Sequence, residues 1–192
     1  FDLRAQFDNE DVRNKLKTAG LRGQAPLVAY IFFRVAMPPI VFLIALFYLF
    51  VMTALAYPPP IKFLMAVCAG VIGFYLPNVI LKNQIKRRQD SIRRSWSDAL
   101  DLLLICVESG MSIEAAFKKV SAEIGSQSIA LAEELTLTTA ELSYLQDRRM
   151  AYDNLAKRTD LEGVKSVCVA LQQAERYGTP LGTALRAGVP TL

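Results

Sequence analysis

The chain has 192 residues, 53% hydrophobic and 21% charged, with a net charge of +4, three cysteines and no histidine. Without histidine there is no Ser-His-Asp or Cys-His triad and no HExxH helix. Three cysteines lacking a CxxC spacing argue against zinc. No GxxxxGK(S/T) loop is present either, so the sequence offers no catalytic constellation and calls for no cofactor.

Residues 1–30 are expected to form a short, amphipathic, cytosolic N-terminal segment. Asp8 is placed to cap a helix with the stripe Val12, Leu16 and Ala19, Phe7 stapling onto Val12. Gly20 suits the left-handed position that ends such a helix, with Leu21 folding back onto Leu16. Phe1 is not an initiator methionine, and the end at 188–192 reads as a cut.

Two apolar stretches follow, Val35 to Tyr57 and Phe63 to Leu81. Each approaches the roughly 20 residues that a helix needs to cross a bilayer. Pro38 and Pro39 are expected near the cytoplasmic end of the first span, where the helix can start or kink, and Pro58-Pro59-Pro60 in a stiff turn between the two. In the second span Ala66 and Gly70, and Ala69 and Gly73, stand four apart. That spacing permits close helix packing in lipid, within the pair or against a partner's spans.

Lys82, Lys86, Arg87, Arg88, Arg93 and Arg94 follow the second span, Lys15, Lys17, Arg22 and Arg34 precede the first, and Lys62 lies between. Basic residues mark the cytoplasmic side of short flanks, which puts both ends of the hairpin inside. Lys86, Arg87, Arg88, Arg93 and Arg94 are expected to meet anionic lipid headgroups, a reading preferred here to nucleic acid. Arg94, four residues before Asp98, is placed for a surface ion pair with it.

From Ser97 onward helix signals dominate. Expected helices run Asp98–Ser109, from the Ser112 cap to about Ile124, Ile129–Tyr144, Arg149–Arg158, from a Thr159/Glu162 capping box to Tyr177, and a sixth restarting at Thr179-Pro180. The turns at Gly110 and Gly178 share the pattern Gly-x-(Ser/Pro)-(Ile/Leu)-x-x-Ala-(Phe/Leu)-(Lys/Arg), which predicts similar backbone at both glycines. The fold class is thus an all-α membrane protein, a two-helix transmembrane hairpin plus a cytosolic bundle of about six helices. Its divisions are 1–30, 31–82, a basic membrane-proximal helix at 83–97, and 98–192.

Candidate partner-binding residues fall into two groups. Asp98, Asp101 and Glu108, with Gly110 beyond them, stand on one flank of the first bundle helix. This flank is either a solvated face or a docking edge for a cationic partner. Glu175, Arg176, Gly178 and Pro180 form the second elbow, where a rigid turn suits an interface.

The strings Ser97-Asp98-Ala99-Leu100-Asp101-Leu102-Leu103 and Cys106-Val107-Glu108-Ser109-Gly110-Met111-Ser112 resemble the opening of the type II secretion F domain. More closely they resemble its form in tight-adherence (Flp) pilus platform proteins of the TadC-like kind. Glu175-Arg176-Tyr177-Gly178-Thr179-Pro180-Leu181 is similar to that family's second elbow. The resemblance implies a non-enzymatic platform in the bacterial inner membrane, with most of the chain cytoplasmic. It implies partners in a cytosolic assembly ATPase, a related platform protein or further copies, pilin subunits and the bilayer. It also implies another span beyond residue 192. The alternatives are a membrane-anchored helical signalling or adaptor module, and a membrane enzyme using carboxylates such as Asp101 and Glu108 with a metal.

Overall fold

The computed structural model describes residues 10–21, 23–49, 59–177, 182 and 185. Among the described residues the regular structure is entirely helical, as the sequence pattern predicts. Seven helices follow in order: α1 (Glu10–Thr18), α2 (Gln24–Phe47), α3 (Pro59–Glu108), α4 (Ile113–Ile124), α5 (Ile129–Tyr144), α6 (Arg148–Thr159) and α7 (Glu162–Tyr177). The chain separates into two compact units, Phe1–Ile85 and Lys86–Leu192, and α3 contributes residues to both.

In the first unit, α1 closes on Gly20, whose φ is 81°. The Leu21 N–H donates to the Leu16 carbonyl at 2.9 Å and the Gly20 N–H to the Lys17 carbonyl at 3.0 Å. These two bonds satisfy carbonyls that a helix end would otherwise leave open. A nine-residue helix is marginal alone. Here Leu16 and Ala19 are buried with Leu81, and Leu27, Tyr30 and Ile85 pack around them. Asp8, Phe7, Arg22, Tyr57 and Pro58 lie outside the described residues.

Helix α2 starts well before the expected Val35. Arg34 breaks the run of apolar residues, but a charged side chain does not interrupt backbone hydrogen bonding. Pro38 and Pro39 therefore fall inside the helix, the second of the two placements the sequence allowed, and do not open it. Pro59 and Pro60 are also placed differently, as the first two residues of α3 and not as part of a turn. Proline is tolerated there because the first helical N–H groups have no intrahelical acceptor.

The two long apolar helices approach each other through glycine. A Cβ on Gly73 would stand 3.0 Å from the Val41 Cβ, and one on Gly70 would stand 3.4 Å from the Phe42 Cβ. Ala66 is buried and Ala69 half-buried. Outward-facing residues stay apolar and uncovered, Phe32, Ile44, Ile72 and Val79 among them. Both helices are long and apolar enough to cross a membrane. Their exposure sets them apart from core helices of a soluble protein, which bury such side chains.

In the second unit, α3 continues through the basic stretch and through the expected separate helix Asp98–Ser109. No glycine or proline lies between Lys82 and Ser109 to break it. Ile92, Trp96, Ala99, Leu100 and Leu103 on α3 enter one core with Phe117, Val120, Leu131, Leu135, Tyr152, Leu155, Val164 and Leu171. Helix α3 ends at Gly110, φ 87°, where the Met111 N–H reaches the Cys106 carbonyl at 3.1 Å.

The Ser112 hydroxyl accepts from the Ala115 N–H at 3.3 Å and starts α4; Ser128 accepts from Leu131 at 3.2 Å and starts α5. Asp147 accepts from the Arg149 N–H at 3.0 Å and starts α6. Thr159 does not cap α7. It is the buried last residue of α6, and its hydroxyl donates back to the Leu155 carbonyl at 2.9 Å. Asp160 then takes the left-handed turn at φ 52°. Gly178, Thr179 and Pro180 lie outside the described residues, while Leu185 is buried in the same core.

Candidate functional site

The flank of α3 singled out from the sequence is an outward face. Asp98, Asp101 and Glu108 are exposed, with exposed Ile105 between them. Arg94 does not pair with Asp98. Its Nε turns back to the Asp90 carbonyl at 3.1 Å, leaving the acidic side chain outward. Glu108 lies at the end where the chain returns, since a Cβ on Gly182 would stand 3.5 Å from its Cγ. Gly110, just beyond, is exposed and open, with nothing within 4 Å of an added Cβ.

The second candidate group is differently built. Glu175, on α7, accepts from Arg148 Nε at 3.0 Å and from the Tyr152 hydroxyl at 2.8 Å. Arg148 also pairs with Glu114 on α4. Three helices thus meet through one guanidinium, as its planar fork allows. Burial opposes ionisation of Glu114, but its own backbone N–H, Arg148 and Ser112 together hold the carboxyl below the usual range. Burial likewise works against the charge on Arg148, and Glu114 and Glu175 outweigh it, fixing the guanidinium protonated. Burial and the neighbouring Glu175 raise the Tyr152 phenol.

Gln146, Asp147, Arg148, Arg149, Glu175 and Arg176 line an open cleft of about 470 Å³ here. Arg176 is exposed, its guanidinium carbon 5.6 Å from the centroid of the Tyr177 ring. Glu175 and Arg176 therefore share one cleft, while no ion pair joins Asp98 or Asp101 to it among the described residues.

A larger ionic cluster went unnoticed in the sequence. Glu134, 1% exposed, is held by Arg88 Nη2 at 3.0 Å and by Arg158 Nε at 2.7 Å. Arg158 also donates to Glu141 at 2.7 Å and to the Thr138 hydroxyl at 3.1 Å. Gln89 adds bonds to the Thr159 and Asp160 carbonyls, at 3.2 and 3.3 Å. Arg88 thus leaves the set expected at lipid headgroups, because its charge is turned inward onto Glu134 and Glu133. Lys86, Arg87, Arg93 and Arg94 remain exposed. The missed signal was the placement of Glu134 and Thr138 on the stripe of Leu131, Leu135 and Leu142. An acid at a core position demands a buried cation.

These clusters are structural ion pairs spanning helices. Among the described residues no group of three His, Cys, Asp or Glu is placed to hold a metal ion. Cys106 and Cys168 are buried, and burial together with the Asp153 carboxylate pushes the Cys168 thiol up to about 12.

Residues 99–188 match the family model of Type II secretion system (T2SS), protein F. The matched stretch begins on α3 one residue after Asp98 and covers Asp101, Glu108, Gly110, Glu175 and Arg176. No curated protein and no solved structure matches the chain.

Proposed function

We propose that the chain is an inner-membrane platform component of a type IV-like, tight-adherence (Flp) pilus assembly machine. In this role it couples a cytosolic ATPase to extraction of pilins from the bilayer and their insertion into a fibre. The observation that carries this reading is the match of 99–188 to the secretion F family in a chain that also holds two exposed apolar helices of membrane-spanning length. The family match supplies the secretion or pilus context, and the finer TadC-like assignment rests on the Cys106-Val107-Glu108 string. The hairpin anchors the protein in the bilayer, with the F-type segment in the cytoplasm. Other copies or a related platform protein complete the assembly.

Helix α3 is the proposed mechanical link, because one uninterrupted helix contributes to both units. Asp98, Asp101 and Glu108 are the proposed ATPase-docking residues, and the cleft at Glu175 and Arg176 is a proposed contact between subunits. Exposed complementary charge sets orientation and rate of docking more than its strength. Charge reversal to lysine at Asp98, Asp101 and Glu108 is expected to slow binding of the co-expressed assembly ATPase about tenfold at low salt, as read by surface association kinetics. Unchanged kinetics in all three reversals would remove this edge from the docking surface. Recovery of signalling regulators, with neither motor nor pilin, would favour the adaptor alternative.

A further inference from the structure

Arg34 stands within the first apolar helix and has no counter-charge there. Leu27 and Tyr30 of α2 pack with Leu81 and Ile85 of α3, which fixes the level at which the helix pair meets α1. From that level Arg34 is seven residues further along α2 than Leu27, and Phe74 is seven residues before Leu81. At 1.5 Å per residue both lie about 10 Å deeper. There the Arg34 guanidinium carbon sits 5.3 Å from the Phe74 ring centroid, and its Nε is buried without a hydrogen-bond partner among the described residues.

Aromatic contact offsets only part of the cost of a cation in hydrocarbon, and intramembrane charges are usually paired. The local backbone is polar as well. Pro38 and Pro39 have no N–H to give to the carbonyls of Arg34 and Val35, one turn earlier in α2. One turn towards the α1 end, the Tyr30 hydroxyl donates to the Asn78 side-chain carbonyl. No Asp or Glu occurs anywhere between Val12 and Gln89. A second copy of this hairpin therefore has no carboxylate to offer at that depth.

We infer that Arg34 is the docking point, inside the bilayer, for a transmembrane helix from outside this hairpin that carries an aspartate or glutamate about 10 Å below the membrane surface. The inference rests on the reading of α2 and α3 as membrane-spanning. Lipid phosphate is the rival source of negative charge. Arginine can extend towards headgroups, yet here the Nε is buried and the guanidinium lies level with Phe74, not with Asn78 or Leu81.

The test reconstitutes the full chain in phosphatidylcholine vesicles with an acceptor dye on exposed Cys68. The probe is a synthetic Leu/Ala transmembrane peptide bearing a donor dye and one glutamate seven residues from its end, compared with the same peptide bearing glutamine. The glutamate peptide is expected to associate about five- to thirtyfold more tightly. Arg34→Gln is expected to erase that preference, and Arg34→Lys to keep most of it. Equal binding of the two peptides to the unaltered protein overturns the inference without calling on any variant. So does a preference that survives Arg34→Gln. An Arg34-dependent response only to added phosphatidylglycerol assigns the cation to lipid and also overturns it. Extraction of the protein from vesicles by alkaline carbonate would sink the membrane reading itself, and this inference with it.

Discussion

Glu134 shows how a single residue organises the helical bundle. Its carboxylate is 1% exposed and bridges two guanidiniums, Arg88 and Arg158, whose side chains are only 15% and 10% exposed. Removing one member of a buried ionic set leaves the others charged and desolvated, which costs roughly 3–5 kcal/mol. Glu134→Ala is therefore expected to lower the stability of the helical bundle by about 3 kcal/mol, read by chemical denaturation of the purified protein in detergent. Loss of less than about 1 kcal/mol would mean the cluster is already hydrated. The titrating groups add a pH window. Cys168 is pushed from 9.0 up to about 12 by burial and by Asp153, and Tyr152 is raised by burial and by Glu175. In both, the unfolded chain gives up its proton at lower pH than the folded one. Their contribution is complete below the ordinary thiol and phenol ranges and declines as pH rises through the folded values. The denaturation midpoint is expected to fall between pH 8 and pH 10.5, and to fall less in Cys168→Ala. Equal declines in both proteins would assign the alkaline loss elsewhere. Glu114 acts in the opposite sense. Its lowered carboxyl stabilises the fold above the usual carboxylate range, and that contribution is lost on acidification.

At the scale of elements, local chemistry made much of the second unit legible. Ser112 and Gly110 marked their helix ends because each signal acts through the backbone of its own turn. Thr159 misled for the same kind of reason. A threonine three residues before a glutamate suits a capping box, but at this position its hydroxyl turned back to Leu155 and α6 absorbed it. The continuity of α3 was hidden by composition, since apolar, basic and amphipathic segments follow one another in a helix that hydropathy divides. The ionic cluster around Glu134 required tertiary knowledge, because Arg88, Glu134 and Arg158 are far apart in sequence. Of the proposed partner residues, Asp98 and Asp101 were placed outward as their helical spacing implies, whereas the involvement of Glu175 with Arg148 and Tyr152 had no local signal. The packing between α2 and α3 is specific enough to test. At Gly73 an added Cβ would meet two Val41 carbons at 3.0 Å, so even a methyl group requires Val41 to shift. Gly73→Leu is expected to force the helices apart, abolishing a disulfide between cysteines introduced at Phe42 and Gly70, whose Cβ positions stand 3.4 Å apart. Retention of the crosslink at its original yield would show that the glycine contact is dispensable.

For the whole molecule, the decisive question is which ends of the apolar helices share a compartment. Helix α1 packs against Leu27 and Tyr30 of α2 and against Leu81 and Ile85 of α3, so the start of α2 and the polar continuation of α3 lie at one end of the pair. Exposed Lys15, Lys17 and Lys82 belong to that end, and Lys62 lies in the first turn of α3 at the other. Each lysine near an anionic leaflet is worth about 1 kcal/mol. An excess of three over one therefore biases orientation by about 2 kcal/mol, before Lys86 and Arg87 are added. Positive charge is retained on the cytoplasmic side. In intact cells a membrane-impermeant maleimide is therefore expected to label cysteine introduced at Tyr57. Cysteines introduced at Lys17 and Lys86 should react only after permeabilisation. Labelling of Lys17→Cys or Lys86→Cys in intact cells would place residues 99–188 on the wrong side of the membrane for an ATP-driven partner, and the platform reading would fail with it.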